Sequence, residues 1–339
     1  MRLEFLTLPE RERRPYFEHV AQERGLSPVL AEKDFWVCWM LAVLFRSRFG
    51  GELVFKGGTS LSKVFGVIRR FSEDIDLSIS PAFLGLEDGD SPDAFSGNRA
   101  AKWMKAAEAA CLREVEGQVA PEIERIVAGV LGDRGTPWLS FERDALTHSP
   151  VIHFRYPTTQ PAGFDYLNRS VKLEFGSLTD QRPVGSHAVR PWLAESLPMR
   201  FADWICEVVC LDLERSFWEK ATILHAEHHR PLEVPTPDRF SRHYADTAAM
   251  ARHPSVAPAV ERGDLLGRVV AWKSRFFRSG WARYDLAVPG TFRLLPPDGR
   301  VPGLRADYRA MRDMYLSAPE AFEQVLETLG RLESRINGG

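Results

Sequence analysis

The sequence predicts an α/β fold, in which a mixed sheet packed by helices is followed by a mostly helical C-terminal region. Residues 52–55 are short, apolar and followed by two glycines, which is typical of a buried strand that enters a turn. Residues 74–79 alternate polar and apolar side chains with a period of two, as a half-buried strand does. After Phe201 the pattern changes to a short strand and then to the periodicity of amphipathic helices.

Length and composition are those of an ordinary globular protein. The 339 residues can form one large or two modest domains, and 44% of them are hydrophobic while 27% are charged. The formal net charge of -2 excludes a uniformly basic nucleic-acid binder. Any contact with RNA must therefore come from a local patch.

Cysteine usage and the N-terminal residues predict a cytoplasmic protein. The four cysteines are scattered without a C-x-x-C pair, which favours buried thiols over a zinc cage or a disulfide framework. The first residues contain no apolar core of a signal peptide. The most apolar run, residues 35–45, is too short to cross a bilayer, so we expect no membrane partner.

Two helices are predicted near the N-terminus, over residues 15–23 and 27–48. Ser27 is the expected N-cap of the second helix, and Pro28 is suited to its first position. Apolar residues nearly encircle this helix, so we expect it to lie in the core. Three of its charged residues are expected to be solvated, with a local ion-pair cluster near the site as the alternative, namely Glu32, Lys33 and Asp34.

A glycine turn and a short helix follow the first strand. The turn contains Gly57 and Gly58, and Thr59 is the expected N-cap of the helix. A helix that begins after paired glycines offers unpaired N–H groups and the positive end of its dipole, beside the Thr59 and Ser60 hydroxyls. This arrangement predicts a phosphate site. It is not a P-loop, because the second glycine of that motif is missing before Lys63.

Asp74 and Asp76 are predicted on one face of the next strand, with the apolar residues beside them entering the core. Two carboxylates held this close repel each other unless a cation lies between them. Mg²⁺ is the expected cation, with Mn²⁺ as the alternative, because such ions take oxygen ligands from carboxylates and substrate phosphates. The order of turn, helix and Asp-x-Asp strand therefore favours a nucleoside triphosphate site over solvated aspartates at a strand edge.

Later segments complete the predicted sheet and its helices. Residues 100–130 are expected to be largely helical, with an interruption near Pro121. Residues 151–156 and 170–175 have the pattern of strands. The second of these strands has polar side chains on one face.

Residues 265–284 contain five cationic side chains and no acidic one, interleaved with aromatic residues. Aromatic rings beside cations can stack on unpaired bases and bind phosphates. An amphipathic helix with a basic solvent face gives the same pattern, so both interpretations stay open. The candidates for RNA binding are Lys273, Arg275 and Arg278.

Several motifs of the chain resemble those of one known family. They are GGTSLSKVF and RRFSEDIDLSI around the Asp-x-Asp strand, EKDFWV in the N-terminal helix, and LERSFWEKATILH and SRHYADTAAM further on. In these motifs the chain resembles the AbiEii/AbiGii toxin-like nucleotidyltransferases, of the DNA polymerase beta-like nucleotidyltransferase superfamily. The resemblance covers almost the whole chain and implies a polymerase beta-like nucleotidyltransferase core with a mixed sheet.

The resemblance also implies roles for four further residues. In the superfamily a carboxylate from a later strand joins the Asp-x-Asp pair, and Glu174 in SVKLEF is the candidate, with an ordinary polar strand face as the alternative. The Glu-Lys helix motif of the family places its lysine at Lys220, where a cation would offset charge on the departing pyrophosphate. An Arg-x-x-x-Asp motif matches Arg242 and Asp246, which otherwise suggest a helical ion pair. Asp246 would position Lys220 or help to deprotonate the acceptor, and Arg242 would bind phosphate or RNA.

The implied reaction is in-line attack of an acceptor hydroxyl on the α-phosphate of a nucleoside triphosphate. Mg²⁺ would be held by Asp74, Asp76 and Glu174, while Arg70 and Ser72 would add phosphate contacts to those of the glycine turn. The family comparison implies an RNA acceptor, namely the 3′ end of tRNA, so that transfer would inhibit translation. The protein would then be the toxin of a toxin–antitoxin system, of the abortive infection type, with a DNA-binding antitoxin as its partner.

The sequence leaves two alternatives and one boundary open. The acceptor could instead be a protein hydroxyl, or the fold could have lost its chemistry and serve as a module that binds RNA or protein. The expected domains are a nucleotidyltransferase core over residues 1–195 and a mostly helical domain over residues 196–339. Lys220 and Asp246 would come from the second domain and complete the cleft.

Overall fold

Seven strands form one mixed sheet in the computed structural model, which describes residues 4–86, 97–145, 147–160, 169–261 and 263–338. The strands are β1 Leu53–Lys56, β2 Ile75–Ile79, β3 Leu139–Arg143, β4 Pro150–Phe154, β5 Val171–Gly176, β6 Val184–Val189 and β7 Cys206–Leu211. Their order in the sheet is β3-β4-β5-β2-β1-β7-β6. β2 runs antiparallel to β1 and parallel to β5, which confirms the mixed sheet expected from the sequence.

Helices connect and follow these strands. Those before β7 are α1 Glu4–Thr7, α2 Glu10–Arg24, α3 Pro28–Arg46, α4 Gly57–Lys63, α5 Gly97–Glu114, α6 Ala120–Leu131, α7 Trp192–Ser196 and α8 Pro198–Phe201. Those after it are α9 Leu213–His228, α10 Ser241–Ala251, α11 Val256–Glu261, α12 Gly263–Phe276, α13 Val301–Ala310 and α14 Phe322–Ile336. The mostly helical C-terminal region is therefore confirmed. No helix in the described ranges is both long enough and apolar enough to span a membrane.

The described residues divide into two compact units. The first comprises residues 4–64, 71–86 and 105–210, and contains the sheet. The second comprises residues 65–70, 97–104 and 211–338. The domain boundary predicted after residue 195 stays a prediction.

α3 lies in the core of the first unit, as its sequence predicts. Ser27 is its N-cap, with the side-chain oxygen 3.4 Å from the Leu30 backbone nitrogen that donates to it. The rings of Phe35 and Trp36 are fully buried and meet edge to face, with their centroids 5.2 Å apart. Trp36 in turn stacks on Tyr156, which follows β4. This aromatic cluster fixes α3 against the sheet.

The charged residues of α3 are buried, so the expectation that they are solvated is wrong. Glu32, Lys33 and Asp34 are only 1–2% exposed. Asp34 accepts hydrogen bonds from Lys63 Nζ at 2.6 Å and from the Trp192 backbone nitrogen at 2.7 Å, while Lys33 pairs with Glu73. A buried charge is tolerated only when it is paired and hydrogen-bonded, and these contacts supply both. The helix thus links distant segments of the first unit through ionic contacts.

The break between α5 and α6 occurs where the sequence predicts it. Residues Val115–Val119 form a π-helical turn, and Pro121 lies in the first turn of α6. Proline is tolerated there because the first N–H groups of a helix have no acceptor within it.

α10 is central to the second unit, where it packs against α9 and α14. Tyr244 on α10 is fully buried, and its ring lies edge to face with Phe322 of α14. Trp218 on α9 is also buried and donates its indole N–H to the Ala259 carbonyl at 3.2 Å. Large buried aromatic side chains therefore fix α9 and α10 in place.

The buried ion pair of Asp34 with Lys63 is expected to stabilise the folded protein. Asp34→Ala leaves the Lys63 ammonium buried without a counter-charge and removes the acceptor of the Trp192 N–H. We expect the free energy of unfolding to fall by roughly 3–5 kcal/mol, measured by urea denaturation. Glu122→Ala, which breaks the exposed pair with Arg125, is the control and should leave the unfolding midpoint unchanged. Equal midpoints for both variants would contradict a structural role for the buried pair.

Candidate functional site

Two of the predicted metal ligands lie side by side on the sheet of the first unit. Asp76 on β2 is directly opposite Glu174 on β5, and also opposite Lys56 on β1. Residues opposite one another on paired strands share a face of the sheet, so both carboxylates point to the same side. Asp74 immediately precedes β2 rather than lying within it, and is half-buried.

Gly57 is fitted to the carboxylate of Asp76. Its φ of +79° lies in the region that favours glycine, and a Cβ at this position would be 1.9 Å from Asp76 Oδ2. Any other residue would collide with the carboxylate. The glycine turn therefore places the start of α4 directly against the Asp-x-Asp segment, and Gly58 lies half-buried in the first turn of that helix.

The Thr59 and Ser60 hydroxyls are engaged within the first unit. α4 begins at Gly57, so the expectation that Thr59 is its N-cap is wrong. Thr59 Oγ1 instead donates to the Asp74 carbonyl and lies 3.0 Å from Ser72 Oγ, while Ser60 Oγ donates to the Gly57 carbonyl at 2.9 Å. Both residues are fully buried. Their hydroxyls hold the turn against the Asp-x-Asp segment, which leaves the backbone N–H groups as the phosphate donors to be considered.

The environment of Asp74 disfavours its charged form. Burial raises the pKa of the Asp74 carboxyl to about 6, with further contributions from Asp76 and Glu73, while Lys172 and Lys33 oppose the shift. Lys172 Nζ donates to Glu174 Oε2 at 2.9 Å. The carboxylates of this cluster are thus only partly neutralised by the neighbouring lysines.

The donor atoms of this cluster suit a hard divalent cation. Among the described residues, no three or more His, Cys, Asp or Glu side chains are already arranged as a metal site. Carboxylate oxygens on one face are nevertheless the ligands that Mg²⁺ prefers, and a cation there would relieve the repulsion that raises the pKa of Asp74. The ligand set of Asp74, Asp76 and Glu174 stays a prediction, and Glu174 would have to exchange its bond to Lys172 to join it.

A second group of predicted residues meets in the second unit. Arg70 makes two parallel hydrogen bonds to Asp246, from Nε to Oδ1 and from Nη2 to Oδ2, each 2.8 Å long. Lys220 Nζ lies 2.9 Å from the same Oδ2 atom. Asp246 is 1% exposed and Arg70 4%. The predicted catalytic lysine of α9 is therefore bound to the predicted aspartate of α10.

Charge pairing sets the protonation of this group. Burial alone would raise the pKa of the Asp246 carboxyl, but Arg70 and Lys220 outweigh it and hold the pKa well below its usual value. Burial lowers the pKa of Lys220, and Asp246 opposes that shift. A carboxylate with so low a proton affinity is a poor base. Of the two predicted roles of Asp246, this arrangement favours the positioning of Lys220.

Lys273 is buried in the second unit and bound to α9. Its Nζ donates to the Glu219 carbonyl at 2.7 Å and lies 3.1 Å from Glu219 Oε2. Glu219 also accepts from Arg215 Nε at 3.0 Å, and although burial opposes it, these two cations lower the pKa of Glu219 to about 2. These contacts favour a structural role for Lys273. Of the other RNA-binding candidates, Arg275 is half-buried and Arg278 exposed.

Two neighbours of this group lie on the first turn of α10. Arg242 is half-buried, and its charge helps to lower the pKa of Lys220. Burial, together with the charges of Lys220 and Arg242, lowers the pKa of His243 well below its usual value, so that the imidazole is neutral at pH 7.

Sequence reasoning missed several residues that the structure places beside the predicted ones. Lys33 and Glu73 form a buried pair next to Asp74, and Arg215 lies against Glu219. The sequence does contain a signal for the burial of Lys33 and Arg215, because each lies among apolar residues of a helix that is buried on most sides. Arg70 was expected to contact phosphate, and the bond to Asp246 could not be read from two segments so far apart in the sequence.

Comparisons with known proteins show the family of the chain. Residues 39–328 match the family described as nucleotidyl transferase AbiEii toxin, type IV TA system. The chain belongs to this family of toxin nucleotidyltransferases. Among solved structures it is similar to the nucleotidyltransferase toxin MenT4 from Mycobacterium tuberculosis H37Rv, with a TM-score of 0.43 and 18% identity, over 95% of this chain and 97% of that chain. No curated protein matches the sequence significantly.

The pairing of Asp246 with two cations predicts a pH-dependent stability. Asp246→Asn leaves Arg70 and Lys220 buried without their counter-charge, so we expect unfolding to be easier by roughly 3–5 kcal/mol at pH 7. Because the pKa of Asp246 is lower in the folded protein, its contribution is present above about pH 4 and is lost as the pH falls further. On urea denaturation, the difference from wild type should therefore be the same at pH 7 and pH 5 and should shrink as the pH falls below about 4.

The control for this experiment is Asp313→Asn, which changes an exposed aspartate of the same unit. Its unfolding midpoint should follow that of the wild type at every pH. A constant difference between wild type and Asp246→Asn across the whole pH range would contradict the proposed charge pairing.

Proposed function

We propose that this toxin nucleotidyltransferase is metal-dependent and transfers a nucleoside monophosphate from a nucleoside triphosphate to a hydroxyl at the 3′ end of tRNA. The observation that carries the metal-dependent part is the carboxylate cluster of the first unit. Asp76 and Glu174 share one face of the sheet, and Asp74 beside them has a pKa raised to about 6. Such a cluster is most stable with a cation bound.

Asp74, Asp76 and Glu174 would hold Mg²⁺, or Mn²⁺ in its place. When bound, the metal would polarise phosphate oxygens and lower the pKa of the acceptor hydroxyl. Gly57 allows the Asp76 carboxylate to lie against the start of α4, where the backbone N–H groups of Gly57 and Gly58 would bind phosphate oxygens. Thr59, Ser60 and Ser72 hold this turn in place through their hydroxyls.

Lys220 would supply the cation for the leaving group. The acceptor hydroxyl releases its proton to water and its oxygen bonds to the α-phosphorus. The bond from that phosphorus to the bridging oxygen breaks, and pyrophosphate departs with its negative charge. A lysine near this charge stabilises it in the transition state. Asp246 would hold Lys220 ready, and Arg70 would hold Asp246, which is a supporting role rather than the direct phosphate contact first expected. Arg242 remains a candidate for contact with phosphate or RNA.

The acceptor and the partner follow from the family and from the basic segment of α12. Arg275 and Arg278 lie at and just beyond the end of this helix, beside the exposed ring of Phe277. Arg278 is exposed and Arg275 half-buried, and cations next to an aromatic ring can bind unpaired nucleotides, which supports an RNA acceptor. Transfer to tRNA would inhibit translation in the cytoplasm, and a DNA-binding antitoxin would be the partner that restrains it.

Label transfer tests this function directly. The purified protein is incubated with Mg²⁺ and each α-labelled nucleoside triphosphate, together with total cellular RNA and protein. We expect label in a tRNA-sized band with the wild type. Asp74→Ala/Asp76→Ala should abolish transfer, and Lys220→Ala should slow it by about 10²–10³-fold because charge on the leaving group is no longer offset.

Glu142→Ala is the matched control, since Glu142 is an exposed carboxylate on β3 of the same sheet. It should transfer label at the wild-type rate. Label in protein bands would show that the acceptor is a protein and not tRNA. Transfer that persists in the double aspartate variant would refute the assignment of the carboxylates.

A further inference from the structure

The function proposed above assigns no ligand to one cavity in the second unit. It has a volume of about 520 Å³, within the range of small-molecule sites, and is formed by residues 66–70, α10 and the loop after Tyr315. The lining residues that matter here are Arg69, Arg70, Asp246, Arg252, Tyr308 and Tyr315. All of them belong to the second unit.

The charges around the cavity favour an anion. Arg252 is balanced by Glu320, with two parallel hydrogen bonds of 2.8 Å. Asp246 carries one negative charge against the two positive charges of Arg70 and Lys220. Arg69 adds a further cation, and its side chain is exposed. The walls therefore carry a net positive charge. Arg69 is the cation that a ligand can reach most easily.

The cavity also offers flat apolar surfaces. Tyr308 and Tyr315 meet edge to face with centroids 5.6 Å apart, and Pro254 and Pro319 line the same space. Tyrosine rings beside arginines are a common means of binding a planar base and its phosphate together.

The wall is held in place by its backbone. The Leu316 N–H donates to the Arg69 carbonyl at 3.0 Å, and Arg70 forms a β-bridge with Tyr315. The Tyr308 hydroxyl donates to the Glu320 carbonyl at 3.2 Å. The chain segments that form this wall are thus tied together by hydrogen bonds, so the space is preformed.

We propose that this cavity binds a nucleotide, with its base against the tyrosine and proline walls and its phosphate near Arg69. The proposal rests on the proposed function and deepens it, because the same wall contains Arg70 and Asp246, which hold Lys220. The bound nucleotide has two possible sources, the free nucleoside triphosphate and the terminal nucleotide of an RNA acceptor.

Calorimetric titration of the full-length protein tests the proposal. The ligands are each nucleoside triphosphate with Mg²⁺ and, separately, a short single-stranded RNA with a free 3′ hydroxyl. Two variants alter the cavity without touching the residues placed in catalysis. Ala318→Trp fills the space from an exposed position in the loop, and Arg69→Gln removes the accessible cation.

We expect each variant to weaken the binding of at least one ligand by about tenfold. A loss confined to the triphosphate identifies the substrate as the occupant, and a loss confined to RNA identifies the acceptor terminus. The controls are Ala202→Trp and Arg11→Gln, both at exposed positions of the first unit, and both should bind like the wild type.

Wild-type affinity for both ligands in both cavity variants would overturn the proposal, as would a wild type that binds neither ligand. Thermal unfolding shows whether each variant is folded. If Ala318→Trp does not fold, Arg69→Gln, which changes an exposed residue, tests the proposal alone. Binding is measured without label transfer. A wild type that binds nucleotide but transfers no label would therefore refute the proposed function and leave the cavity proposal in place.

Discussion

The second unit depends on one carboxylate that is shared by two cations. Asp246 is almost fully buried, and no nearby solvent can replace its partners Arg70 and Lys220. The cost of burying these charges is offset only while all three are present, because removal of one leaves an unpaired charge in a medium of low dielectric. The position of Lys220, the conformation of residues 65–70 and one wall of the cavity therefore depend on the same interaction.

Two carboxylates of the first unit differ in the charges that surround them. Asp34 is fully paired, with Lys63 and the Trp192 N–H as its partners, and serves to join helices. Burial raises the pKa of both Asp34 and Asp74, but the charge of Lys63 opposes the shift at Asp34, whereas the charges of Asp76 and Glu73 add to it at Asp74. A partly buried carboxyl beside like charges is a candidate for a functional site. This contrast is the physical basis for proposing a metal at Asp74.

Much of the fold could be predicted because its signals are local. The alternation within residues 75–79 and the Ser27 cap of α3 each involve neighbours in sequence, and the structure has both elements. The two glycines of the predicted turn instead form the start of α4, directly after β1. The exposure of charged residues was predicted less well. Lys33, Asp34 and Lys273 are charged side chains that find partners in distant segments, and no local pattern contains that information.

The candidate site was predicted in part for the same reason. The Asp-x-Asp spacing is a local signal, and so is the lysine within the helix motif that contains Lys220. The bond from Arg70 to Asp246 joins residues that are 176 positions apart, and no local pattern contains it. Thr59 likewise bonds to the Asp74 carbonyl, which a helix cap rule does not foresee.

The central claim is that the carboxylates of the first unit bind a divalent metal. Electron paramagnetic resonance of Mn²⁺, titrated into the protein with a non-hydrolysable nucleoside triphosphate, measures this binding without any transfer reaction. The account predicts that Asp74→Asn/Asp76→Asn weakens Mn²⁺ binding by more than about tenfold, while Glu142→Gln binds like the wild type. Equal affinity for Mn²⁺ in the wild type and the double aspartate variant would contradict the account.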